Sequence, residues 1–175
     1  MTGVSYTVDP IRLAILTISD GVAHGARTDG SGDAIAAWAA ERGHPVAHRA
    51  VVPDESARIA AALVDWADSG AVDLVLTTGG TGLTSRDITP EATRAVLQRD
   101  APGLAEAIRA AGAAATPYAA LSRGLAGVRA RTLVVNLPGG TGGVRDGLAV
   151  LDRVLPHAVQ LLRGTDTERH EQPNA

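Results

Sequence analysis

Apolar residues along the chain fall into two kinds of run that alternate from end to end. Stretches at 11–18 (IRLAILTI), 45–52, 72–76 and 132–137 (TLVVNL) read as strands, that at 72–76 as a buried one. Between them apolar positions recur at helical spacing. Ile35, Trp38 and Ala39 mark a helix over about 32–42, capped by Ser31 and ended by Gly43. Ile59, Leu63 and Trp66 mark a second, which follows Pro53-Asp54-Glu55-Ser56 and ends near Gly70. Thr89-Pro90-Glu91 reads as a third start, with Thr89 as cap, for a helix to about residue 99. Pro102 opens a fourth, carrying Leu104 and Ile108 and stopped by Gly112. A long one over 144–162, bent at Pro156, closes the domain. Residues 113–131 are the least regular; 119–123 read as a short extended piece beside the strand that follows. Strands alternating with helices predict a single-domain, three-layer α/β/α fold over 11–164 with a mostly parallel sheet. Residues 1–10 and 165–175 are expected to be flexible termini.

Composition removes several function classes. A net charge of −3 gives no general attraction to nucleic acid or membrane surfaces. At 2% aromatics and no Phe, the chain has little from which to build a base-stacking platform for nucleic acid. No apolar run approaches the roughly 18 residues of a membrane span, and residues 1–10 are no signal peptide. The absence of cysteine excludes thiolate catalysis and fits a cytoplasmic protein. All 16 basic residues are arginine, so a P-loop lysine, a Schiff base and a lysine general base are ruled out together. Phosphate must be held by arginine, backbone amides, hydroxyls or a metal ion. His24, His44, His48, His157 and His170 lack ligand spacing and read as surface or structural residues.

In a parallel sheet, ligands bind beyond the carboxyl ends of the strands. Four such ends carry polar or glycine-rich sequence: Ser19-Asp20, Pro53-Asp54, Gly79 through Asp87, and Pro138 through Gly143. Gly79-Gly80-Thr81-Gly82 joins a strand to a helix start, a common arrangement for anions. It is neither a Walker A loop, since no Lys follows, nor G-x-G-x-x-G, since Ser85 stands where a third glycine belongs. Turns of this kind also occur without ligands, but Arg86-Asp87 adds a phosphate partner and a metal-type carboxylate. Asp54 has two readings, helix N-cap or functional carboxylate. The tetrads 79–82 and 139–142, both Gly-Gly-Thr-Gly, read as two loops of one site.

The stretch TTGGTGLTSRDITPEAT, with VVPDE before it and LSRG and NLPGG after it, resembles the molybdopterin-binding MogA/MoaB family over residues 11–162. SDGVAHGARTDGSG, which opens with Ser19 and Asp20, is similar to that family's first loop. The resemblance implies transfer of AMP from ATP to the terminal phosphate of molybdopterin, with release of pyrophosphate and with Mg²⁺. It implies that Asp54 and Asp87 are catalytic and hold the metal, and that Ser122 contacts the bound product. It also implies that Gly79, Gly80, Thr81 and Gly82 hold nucleotide phosphates, and that Asn136, Pro138, Gly139 and Gly140 close over the pterin. With no lysine, Arg86 or Arg123 supplies positive charge. The resemblance further implies a homotrimer. The alternative is a non-catalytic pterin-binding or scaffold protein of the same fold. Many relatives read L-P-G-S-P-K where this chain has Leu137-Pro138-Gly139-Gly140-Thr141-Gly142, so Thr141 is the hydroxyl available there.

Overall fold

The structure is a computed structural model and describes residues 9–164. Six strands form one sheet: β1 (Leu13–Ile18), β2 (Val46–Val52), β3 (Leu74–Thr78), β4 (Arg99–Asp100), β5 (Ala126–Arg129) and β6 (Thr132–Leu137), in the order β2-β1-β3-β6-β5-β4. The first four positions are parallel, while β5 and β4 add on antiparallel. Side-chain alternation sends Leu13, Ile15, Leu74, Leu76, Leu133 and Val135 to one face. Ala14, Leu16, Val75 and Val134 go to the other. Helices α2 (Gly30–Glu41), α5 (Pro102–Ala113), α6 (Thr141–Asp152) and α7 (Leu155–Arg163) cover the first face. Helices α3 (Ser56–Asp68) and α4 (Thr89–Val96) cover the second. A short α1 (Asp20–Ala23) follows β1 directly. The three-layer expectation therefore holds, with an antiparallel margin that the sequence pattern did not announce.

Several local expectations are corrected. Asp29, not Ser31, caps α2, its carboxylate accepting from the Gly32 amide at 2.9 Å. Thr89 is inside α4 rather than its cap; the helix ends at Val96, and the Thr89 hydroxyl donates to the Gly79 carbonyl instead. Gly112 lies within α5 and lets the helix approach Ala119, 2.9 Å from where a Cβ would stand. The extended piece expected at 119–123 is a 3₁₀ turn, Pro117–Leu121, capped by Thr116; the adjoining strand is β5, further on. The single bent helix is two: α6 stops before Arg153-Val154, and Pro156 sits in the first turn of α7, where its missing N–H costs nothing. Of the two expected flexible termini, 1–8 and 165–175 lie outside the described residues. Asp9 and Pro10 lie within them.

At the amino ends of the strands, Asp73 is buried between two arginines. Arg12 donates to it from its backbone amide and its guanidinium, and Arg163 donates through Nε and Nη2 at 3.2 and 2.7 Å. Burial alone pushes this carboxyl up, but the hydrogen bonds from Arg12 and Arg163 outweigh it and hold it well below the usual carboxylate range. Because the folded-state value is depressed, the stabilisation is complete above the unfolded value near pH 4 and is lost only as pH falls below it. Asp73→Asn is expected to cost about 2 kcal/mol at neutral pH, below the usual loss for a broken buried pair because both arginines reach solvent. A melting-temperature drop of roughly 4–8 °C at pH 7, shrinking toward pH 3, would check this.

Candidate functional site

The carboxyl ends of β1, β3 and β6 are neighbours, so the loops that leave them meet above the sheet. The Gly79 amide donates to the Leu137 carbonyl at 3.3 Å, and the Thr78 hydroxyl to the Pro138 carbonyl at 2.7 Å. This brings the two glycine tetrads side by side. Gly79 has φ +95, and a Cβ there would stand 2.2 Å from the Ile18 carbonyl oxygen, so only glycine serves. Gly80, at φ +62, also turns left-handed, and a Cβ on it would stand 3.0 Å from Asp54 Oδ1.

Above these loops lies a cleft with two lobes. One, of about 510 Å³, is mainly apolar; its walls come from α5 (Ile108, Arg109), the 3₁₀ turn (Tyr118, Leu121) and the first turns of α6 (Gly143, Asp146). The other, of about 580 Å³, is the more polar of the two and presents Ser19, Arg27, Thr28, Ser31, Asp54 and Arg86. Gly80, Asp87 and Gly139 border both lobes and form the waist between them.

The carboxylates around the waist are positioned by backbone and by one another. The Asp20 amide donates to Asp54 Oδ2 at 2.9 Å, and the Asp54 amide donates back to Asp20 Oδ1 at 3.0 Å. This reciprocal pair staples the end of β1 to the end of β2. It leaves Asp54 Oδ1 facing Gly80. The N-cap position of α3 belongs to Glu55, so the capping reading of Asp54 is removed by the geometry. Asp87 accepts from both the amide and the hydroxyl of Thr84, at 2.8 and 2.7 Å, and lies against Gly82. Partial burial pushes its carboxyl up; these Thr84 bonds and the Gly82 amide pull it below the ordinary value, so it is ionised throughout the neutral range. Asp20 is likewise lowered, first by the Asp54 amide and then by Arg86, which grips it with Nε and Nη2 at 3.0 Å each.

The remaining expected residues fall as follows. Ser19 caps α1 through the Val22 amide and borders the polar lobe. Thr81, Gly82 and Ser122 border the apolar lobe. Asn136 borders it too, but its amide group donates to Thr77 and Thr93 and accepts from Leu125, which makes it a strut in the wall. Arg123 lies behind the glycine loop, donating to the Gly82 and Asp87 carbonyls and pairing with Glu91. Pro138 and Gly139 border the apolar lobe, and Gly139 and Gly140 the polar one. The two glycine loops are not segregated between the lobes. Both loops border both lobes, because β3 and β6 are adjacent. Nor is the turn at 139–143 a free loop, since α6 begins at Thr141, with Gly140 as an N-cap that offers no side chain. The first amides of α6 thus stay open toward the cleft. Arg27, Thr28, Arg109, Tyr118 and Asp146 were not anticipated as lining residues.

The fold and site together define an α/β domain with a bipartite cleft at the carboxyl edge of its sheet, walled by two Gly-Gly-Thr-Gly loops and two aspartates. Residues 14–157 match the family model described as "probable molybdopterin binding domain", and the chain belongs to that family. The molybdopterin adenylyltransferase of Helicobacter pylori strain J99 is 38% identical over 164 residues, covering 93% of each protein. The Drosophila melanogaster molybdenum cofactor synthesis protein cinnamon is 45% identical over 112 residues, 64% of this chain but 19% of that protein. Among solved structures, the molybdopterin biosynthesis enzyme MoaB from Thermus thermophilus superposes with a TM-score of 0.83 at 51% identity, over 88% of this chain and 97% of that one. No group of three or more His, Asp or Glu side chains suited to hold a metal occurs among the described residues. None of their helices is long and apolar enough to cross a membrane.

Proposed function

We propose that the protein adenylylates molybdopterin: an oxygen of the pterin's terminal phosphate bonds to the α-phosphorus of ATP, the α–β phosphoanhydride bond breaks, and pyrophosphate leaves. The observation that carries this reading is the waist. A two-substrate transfer needs two binding lobes that touch at one point, and here they touch at Asp87, Gly80 and Gly139. Phosphoryl-type transfer asks the protein mainly for positioning and charge neutralisation. The open amides of α6, the glycine-loop amides and Arg86 supply donors and positive field without any lysine. Asp54 and Asp87, each anchored through its own loop, suit Mg²⁺, which takes one or two carboxylates and completes its shell with water and substrate phosphates. When bound there, Mg²⁺ would neutralise charge on the transferring and leaving phosphates. The homotrimer implied by the family remains part of the proposal, and a solution mass measurement checks it.

Incubation with molybdopterin, ATP and Mg²⁺ should yield adenylylated pterin and pyrophosphate in equal amounts. Pterin binding without pyrophosphate release would favour the scaffold reading instead.

The polar lobe, rich in hydroxyls and arginine, is assigned to the triphosphate. Gly140 borders this lobe alone, and a Cβ there would meet nothing within 4 Å in the folded chain. Gly140→Ala is therefore expected to leave the melting temperature unchanged while weakening ATP binding roughly tenfold, as overpacking costs about 1–3 kcal/mol. Calorimetric titration with ATP and with molybdopterin separately would show the asymmetry.

A further inference from the structure

Resting on that reading, we propose that Asp146 recognises the 2-amino and N3–H edge of the pterin in the apolar lobe, with Tyr118 covering the ring. Three observations converge. First, Asp146 borders the lobe from α6, half-buried, and has no hydrogen-bond or ion-pair partner among the described residues. The other carboxylates of the cleft, Asp20, Asp54 and Asp87, are all engaged. An acceptor-only group held in an apolar wall is a demand for donors. Second, Tyr118 is 76% exposed at the mouth of the same lobe, whereas Trp38 and Trp66 are buried in the core. An exposed ring beside an apolar cavity is a stacking surface for a flat heterocycle. Third, Gly142 and Gly143, one helical turn before Asp146, border the lobe and keep the approach to the carboxylate open.

The shape of the acceptor chooses between the two substrates. A 2-amino-4-oxopteridine presents two adjacent N–H donors, which a carboxylate accepts with both oxygens. Adenine presents a single amino donor beside an acceptor nitrogen, and that acceptor would face carboxylate charge. The lobe with Asp146 therefore takes the pterin, and the purine lies elsewhere. With the pterin held here, its phosphate points toward the waist, where Asp87 and Gly80 stand.

The test is anaerobic calorimetric titration of the intact protein with molybdopterin and, separately, with ATP, for wild type, D146N, D146A, Y118L and Y118F. D146N preserves size on a half-exposed helix face, and a melting curve for each variant confirms folding. Losing a paired, charge-assisted contact should weaken molybdopterin at least tenfold in D146N and D146A, with ATP changed less than twofold. Y118L should weaken molybdopterin at least fivefold and Y118F should restore it, since stacking needs the ring and not the hydroxyl. Unchanged molybdopterin affinity in D146N, or weakened ATP affinity in its place, overturns the proposal. Wild-type protein that binds molybdopterin but makes no adenylylated product would overturn the adenylyl-transfer reading and leave the Asp146 assignment standing.

Discussion

Asp87→Asn should keep the fold and both substrate affinities near wild type while turnover falls by about 10²–10³, the usual loss when a preorganised charge at a reacting centre is removed. The carboxylate sits at the junction of the two lobes and is ionised across the neutral range, so it offers fixed negative charge that would help hold a divalent cation beside the substrate phosphates. Asparagine retains the shape and can still accept from Thr84, so the Thr84–Asp87 turn should persist. Single-turnover formation of adenylylated pterin, with calorimetry alongside, separates the two effects. Turnover within a few-fold of wild type would remove Asp87 from the reaction.

The second large effect is expected at Asp54→Ser. Serine caps helices about as well as aspartate, so a pure capping role would leave both stability and rate intact. Here Asp54 is not the cap; its Oδ2 takes the Asp20 amide and its Oδ1 looks onto Gly80. Serine is too short for either task. The lost hydrogen bond should cost about 1 kcal/mol and lower the melting temperature by only about 2–4 °C. Turnover should fall by about a hundredfold or more. Melting curves beside single-turnover rates decide: a small thermal shift with an unchanged rate would make Asp54 a loop staple and nothing else.

The parallel centre of the fold was legible because its strands are buried on both faces and read as dense apolar runs with few polar interruptions, Asp73 in 72–76 and Thr132 and Asn136 in 132–137. The margin was not. β5 is only four residues long and includes Gly127, where a Cβ would stand 2.5 Å from the Arg99 carbonyl; a close approach to the next strand, not apolar character, selects that residue. Cap positions were misjudged where several capping residue types stand together. Asp29 and Ser31 could each start α2, and only the backbone path decides. Within the cleft, the loops at strand ends were found because glycine and aspartate after an apolar run are a local signal. Arg109, Tyr118 and Asp146 were missed because they come from walls whose placement depends on how α5, the 3₁₀ turn and α6 pack. One hint was available: Gly142, Gly143 and Asp146 share a helical face. Thr84, three residues before the carboxylate it orients, was another.

The buckle at Asp73 does more than resist acid. Arg163, which grips it from the end of α7, also donates to the Pro10 carbonyl at 2.9 Å, so the entry and exit of the folded unit meet at the amino edge of the sheet. The cleft opens at the opposite edge. Residues 10 and 163 are thus neighbours at the edge of the sheet opposite the cleft. Such a unit can be carried within a longer chain as a self-contained cassette, in keeping with the small fraction of the Drosophila protein that it matches. By the same geometry, a short linker joining residues 10 and 164 would permit new termini to be opened in a surface loop, with the adenylyl-transfer cleft left whole.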